Sequence, residues 1–170
     1  MLEALQPVLV LCAIGRLFDR LNVDDSHVRR RRMFDIRAYQ PTDENAVLAL
    51  WTSCGLVSPN SNSQADIRRK LAVQPELFLI GTLDSAVIAS GMAGYDGHRG
   101  YLYYLAVSPE HQRKGYGRAI VAHLQSILHE RGCPKLNLFV STDNISAFAF
   151  YERLGFSNND MVSMGRHLNP

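Results

Sequence analysis

Six consecutive residues, Gln112-Arg113-Lys114-Gly115-Tyr116-Gly117, combine an amide side chain, two cations and two glycines. They follow the apolar run Tyr101–Val107, rich in aromatic and branched residues as strands are. They precede Arg118–Arg131, where Ile120, Val121, Leu124, Ile127 and Leu128 recur at helical spacing. A glycine-bearing turn between strand and helix gathers unpaired amides at the positive end of a helix dipole, which suits a phosphate or pyrophosphate. Glycine at 115 and 117 removes the Cβ that would hold a ligand off the backbone. A plain tight turn accounts for the same glycines. No Gly-Lys-Ser/Thr ends the segment, so it is not a Walker loop. A dinucleotide fingerprint needs a third glycine and a downstream acid, and neither is in place.

A second group could move a proton. Tyr151 follows Asn144 by seven residues and Ala147 by four, so the three share one face of a helix. A tyrosine hydroxyl placed there can protonate a leaving group. Equally, Tyr151 can join Phe148 and Leu154 in packing on a sheet, with its hydroxyl near water.

Holding these groups in place falls to the chain from Met33 onward. Phe34–Tyr39 alternates apolar and polar residues as a strand does. Pro41-Thr42-Asp43-Glu44 opens a helix with an apolar stripe of Val47, Leu48, Leu50 and Trp51, closed by Gly55. After the polar loop Ser58–Ser63, Gln64–Val73 reads as a shorter helix carrying Arg68, Arg69 and Lys70. Glu76–Leu83 and Ala86–Tyr95 read as strands joined at Asp84-Ser85 in a hairpin. Gly132 caps the long helix with Pro134 just beyond, and Lys135–Val140 is a strand. Asn144 caps a short helix that Gly155 ends, and one or two last strands run from Phe156 to His167.

Composition sets the outer bounds. A chain of 170 residues fits one domain with a sizeable core. With 46% apolar and 20% charged residues it has the make-up of a globular protein, and a net charge of +2 gives no electrostatic case for nucleic acid. Cys12, Cys54 and Cys133 are too dispersed for a disulfide framework or a metal site, which fits a cytoplasmic protein without metal. A covalent role for Cys54 or Cys133 would need a base that the sequence does not place beside them. Residues 1–32 form an N-terminal appendage to a domain at 33–170. Their apolar run Pro7–Ile14 is too short to span a bilayer, and Arg29–Arg32 reads as a solvated tail or a patch for anions.

Taken together, Gln112-x-x-Gly115-x-Gly117 resembles the acetyl-CoA pyrophosphate loop of the GNAT N-acetyltransferases. Asn144-x-x-Ala147-x-x-x-Tyr151-x-x-x-Gly155-Phe156 resembles that family's second cofactor block. The order of elements matches too, over about four-fifths of the chain, leaving out residues 1–32. Gly94–Gly100, the tyrosine-rich strand after it and Arg131–Lys135 are further similar to the bacterial YpeA-type branch.

The resemblance implies an α/β (α+β) fold. Its central sheet would be mixed, mostly antiparallel and of six to seven strands, with about four flanking helices. The parallel strands Tyr101–Val107 and Lys135–Val140 would splay apart. Acetyl-CoA is the implied cosubstrate, its pantetheine arm pairing with the backbone of Leu105, Ala106 and Val107. Its pyrophosphate would rest on Gln112, Arg113, Lys114, Gly115, Tyr116, Gly117 and Arg118, while Asn144 and Ala147 would hold the cofactor or the helix start. An amine, small or on a protein, would attack the thioester directly. A backbone N–H of Leu105 or Val107 would polarise the carbonyl, and Tyr151 would protonate the departing thiolate. Some family members carry a glutamate where this chain has Phe139, so that base does not transfer. Glu110, Asp96, His98 and Tyr103 remain as candidates. Two other functions stay open: a non-catalytic acyl-CoA sensor, which could dispense with Tyr151, and a nucleic-acid module driven by Arg29–Arg32. Oligomeric state, monomer or homodimer, is not legible.

Overall fold

Alternating and fully apolar runs become a sheet with a helical layer on each face. The computed structural model describes residues 33–57, 62–166 and 168. The expectations for residues 1–32, and for His167 as the end of a last strand, lie outside the described residues. The chain runs β1 (Phe34–Ala38), α1 (Glu44–Ser53), α2 (Ser63–Ala72), β2 (Phe78–Leu83), β3 (Ala86–Tyr95), β4 (Gly100–Val107), α3 (Tyr116–Glu130), β5 (Leu136–Leu138) and α4 (Ile145–Glu152). The strands lie in sequence order, antiparallel from β1 to β4, with β5 parallel to β4. The β2–β3 connection is the expected hairpin. Asp84 and Ser85 take φ of 50° and 70°, the left-handed pair that matches strand twist.

All six residues of β2 are buried, because helices cover both faces. On one face Ile120, Val121, Leu124 and Leu128 of α3 meet Leu79, Leu83, Ala89, Ala93 and Leu102. On the other, Val47, Leu50 and Trp51 of α1 and Ile67 of α2 meet Phe78, Ile80, Met92 and Ala106. Burying each such large side chain contributes roughly 1.5–3 kcal/mol. The entry to α1 is fixed by an ion pair. Arg37 on β1 donates two bonds to the Asp43 carboxylate, at 2.7 and 2.8 Å, and Asp43 also accepts the Gln40 amide at 2.8 Å.

Five strands stand where six to seven were expected, and no described residue beyond Phe156 is in a strand. The Asn158 side chain accepts the Asp160 amide, and Asp160 sits at φ 51°, which turns the chain off a strand path. The apolar residues that a closing strand would bury stay in solvent: Met161, Val162 and Met164 are 82%, 88% and 91% exposed. The fifth strand is also shorter than Lys135–Val140, since only Leu136–Leu138 pairs with β4.

Candidate active site

The loop before α3 turns on left-handed backbone. Arg113 takes φ 60° and Gly115, the N-cap of α3, takes φ 93°. Left-handed residues alternating with others aim successive N–H groups into one concavity. No side chain caps α3, and the amides of Arg113, Lys114, Gly115, Tyr116 and Gly117 donate to no group among the described residues. A Cβ built on Gly115 meets nothing within 4 Å, so the space above it is open. The Gln112 side-chain amide donates to the Val107 carbonyl at 3.1 Å, which ties the loop to β4, and the Lys114 ammonium donates to the Glu110 carbonyl at 2.9 Å. Gly117 has a different reason to be glycine. Its Cβ would lie 3.3 Å from the Phe150 ring and 3.5 Å from Val107, where α3, α4 and the end of β4 meet.

The gap between β4 and β5 opens beside this loop. Pairing covers Gly100–Leu102 against Leu136–Leu138 and then stops, leaving Tyr103–Val107 without a β5 partner. On its other edge β4 bulges: Ser90 pairs with Ala106 and Met92 with Tyr103, so Tyr104 and Leu105 together face Gly91. Tyr104 is left-handed there, with φ 48°. A bulge breaks the ladder and re-aims the strand, and three side chains hold it. Trp51 Nε1 donates to Ser90 Oγ at 2.8 Å, and the Ser90 hydroxyl donates to the Tyr104 carbonyl at 3.2 Å. The Tyr104 ring stacks on Trp51 with centroids 4.2 Å apart, and its hydroxyl donates to Asp66 at 2.7 Å. Residue spacing alone puts Trp51 in the core and leaves Ser90 and Tyr104 without roles. A polar residue inside the otherwise apolar β3 was the available signal.

Tyr151 lies edge-on to Phe150 and Phe156, with centroids 5.0 and 5.6 Å away. It packs on the same core cluster as Leu105, Val107 and Tyr116. Burial pushes its hydroxyl up to about 12, and that hydroxyl bonds to no group among the described residues. Asn144 caps α4: its side-chain oxygen accepts the Ala147 amide at 3.0 Å and the Ser146 hydroxyl at 3.1 Å. Gly117 and Val107 thus meet at the Phe150 ring, which lies edge-on to Tyr151.

The candidate bases separate. Asp96 accepts the His98 and Arg99 amides at 2.7 Å each, an Asx turn that holds its carboxyl below the usual range. Glu110 and His111 belong to a single 3₁₀ turn. Tyr103 lines a cleft formed with α2, and desolvation raises its hydroxyl above its ordinary value. Phe139 is exposed and stacks at 6.1 Å on Tyr101. Both described cysteines are in packing positions, Cys54 donating to the Val107 carbonyl and Cys133 lying against Gly100. Among the described residues no His, Cys, Asp and Glu cluster could hold a metal ion, and no helix is long and apolar enough to cross a membrane.

A mixed sheet with one parallel pair opening next to an uncapped helix start defines the GNAT-like α+β fold. Solved structures agree. An aminoglycoside N-acetyltransferase in complex with CoA matches with a TM-score of 0.66 at 19% identity, over 84% of this chain and 99% of that one. The ribosomal-protein-S18-alanine N-acetyltransferase of Escherichia coli matches with a TM-score of 0.62 at 28% identity, over 74% and 78%. Residues 44–156 match the acetyltransferase (GNAT) family. An acetyltransferase of Yersinia enterocolitica is 41% identical over 134 residues, which are 79% of this chain and 95% of that protein. One from Pectobacterium atrosepticum is 39% identical over 134 residues, with the same coverage. The chain belongs to the GNAT family of acetyltransferases.

Proposed function

We propose that this protein transfers the acetyl group of acetyl-CoA to a primary amine by direct attack, in the cytoplasm and without a covalent acyl-enzyme. The observation that carries the reading is the set of amides from Arg113 to Gly117 that donate to no described group, at the head of α3. They fit a pyrophosphate, with Arg113, Lys114 and Arg118 adding charge and Gln112 fixing the loop to β4. The pantetheine arm takes the place beside Leu105, Ala106 and Val107 that β5 leaves vacant, pairing as a strand would. An N–H of Leu105 or Val107 polarises the thioester carbonyl as the oxyanion forms.

Tyr151 is the proton donor to the departing thiolate, and the proton that the attacking amine sheds passes through solvent and restores the phenol. A hydroxyl held at about 12 stays protonated at neutral pH and has no described partner to satisfy first. That unengaged hydroxyl favours an enzyme over a sensor. Asn144 and Ala147 shape the start of α4 next to the cofactor. Within the family, the turns at Gly94–Gly100 and Arg131–Lys135 support the YpeA-type branch on sequence alone. The test is calorimetric titration with CoA, followed by thiol release from acetyl-CoA with a panel of amines. Saturable CoA binding with amine-dependent thiol release is expected. CoA binding with no release from any amine would mark a sensor, and no CoA binding would reject both readings.

A further inference from the structure

The cleft beside Tyr103 has a charge pattern that acetyl transfer alone does not call for. Asp66, Arg69 and Lys70 of α2 form one wall, and Met92, Tyr103 and Tyr104 form the other. Its volume of about 290 Å³ is at the small end of ligand pockets. The carboxylate in its lining is already engaged: one Asp66 oxygen is paired with Arg69 and the other accepts the Tyr104 hydroxyl at 2.7 Å.

Lys70 is in the opposite condition. Its half-buried ammonium donates to the Ala93 carbonyl, and no carboxylate lies within 4.0 Å of it among the described residues. Glu76, whose charge reaches it, is paired with Arg131. Desolvation, only partly offset by the charge of Glu76, pulls Lys70 down to about 8. An ammonium has three donors, so the bond to Ala93 leaves two. A polyamine would bring its second ammonium against two cations and a carboxylate already in use.

We propose that this cleft takes an acceptor bearing a carboxylate close to its amine, an α-amino acid or similarly small amino carboxylate, with Lys70 binding the carboxylate. Tyr104 forms both the cleft wall and the β4 bulge, so an acceptor held by Lys70 presents its amine toward the bulge. The acceptor assignment rests on the acetyl-transfer reading; the anion site on Lys70 stands apart from it.

The experiment uses the full chain and acceptor pairs that differ only in the carboxylate: phenylalanine with phenethylamine, lysine with cadaverine, and the same pairing across the common amino acids. For at least one pair, kcat/KM should favour the carboxylate member by about tenfold or more. Lys70→Met should erase that preference through KM, leaving CoA affinity and turnover of the decarboxylated member unchanged. Lys70→Arg should retain most of it. In parallel, the N-acetylated amino acids and N-acetylated amines are titrated calorimetrically into the CoA-bound protein. Tighter binding of the carboxylate form, lost in Lys70→Met, supports the site even if no acceptor releases thiol, a result that would defeat the transfer reading alone. Equal or better handling of the decarboxylated members, or a preference that survives Lys70→Met, overturns the proposal.

Discussion

The two faces of the sheet act on the same strand, β4, by different kinds of bond. On the α3 and α4 side the ties are local. Gln112 reaches back five residues to Val107, Lys114 four to Glu110, and Asn144 forward three to Ala147. On the α1 and α2 side they are distant. Trp51 and Ser90 are 39 residues apart, Ser90 and Tyr104 14, Tyr104 and Asp66 38. The hydrogen bonds named on the first side span no more than five residues. The second is assembled only when the whole domain closes, and the bulge in β4 depends on it. On the proposed reading, cofactor binding and acceptor geometry vary separately, and damage to one face should leave a different signature from damage to the other.

The largest expected effect tests whether Tyr151 belongs to chemistry. Tyr151→Phe keeps the ring contacts with Phe150 and Phe156 and removes only the hydroxyl. Turnover should fall about 100-fold or more while CoA affinity holds, as loss of a general acid requires. Because the hydroxyl titrates near 12, its protonated form persists through the neutral range and to about pH 10, so wild-type turnover should show no falling limb from Tyr151 below that. Unchanged turnover in Tyr151→Phe would return Tyr151 to the core.

Next in size is Ser90→Ala. It strips the acceptor from the buried Trp51 Nε1 and the donor from the Tyr104 carbonyl. Leaving such groups unpaired costs about 1–3 kcal/mol. Lower stability by urea unfolding and slower turnover are expected as the bulge relaxes, with CoA affinity nearly intact. A variant that lost CoA binding in proportion would mean that the two faces are not separable.

Gly115→Val attacks the local side instead. A branched residue at φ 93° incurs the left-handed penalty of about 1–2 kcal/mol and places methyl groups in the open space above the loop. CoA affinity should drop by about tenfold through that misplacement. Turnover at saturating cofactor should stay close to wild type, the reverse of the Ser90→Ala pattern. An unchanged dissociation constant would remove the loop from the cofactor site.

Legibility in the sequence followed the same division. The glycine loop, the α3 stripe, the Asp84-Ser85 hairpin and the Asn144 cap could be read because each is specified within a few residues, whereas Phe148, expected to pack beside Tyr151 and Leu154, is exposed. The Trp51–Ser90–Tyr104 network could not, since no periodicity joins residues that meet only through sheet register. Lys70 reads as one cation among three on a helix, because its burial comes from β3. The expected strand count is too high for a related reason: Met161, Val162 and Met164 look like strand residues, but alternation does not oblige a segment to find a free edge. Asn158 and Asp160 redirect the chain before it can.

The smallest effect concerns the entry to the distant side, where Arg37 of β1 grips Asp43 ahead of α1. Chiefly through the Arg37 hydrogen bonds, the folded state holds the Asp43 carboxyl below its ordinary value of 3.8. A depressed carboxyl stabilises the fold fully above its unfolded value, and that contribution disappears as pH falls through the lower, folded value. Asp43→Asn should therefore cost about 1 kcal/mol at neutral pH. The gap from wild type should close as pH falls below 3.8 and through the lower, folded value, because the wild-type carboxylate is then protonated too. Urea midpoints across that range measure it, alongside CoA affinity at neutral pH, which should not move. A gap that stayed constant down to the acid end would mean that the substitution removed packing or geometry, not charge. A concurrent loss of CoA affinity would tie β1 and α1 to the cofactor loop, and the separation of the two faces would fail at its far end.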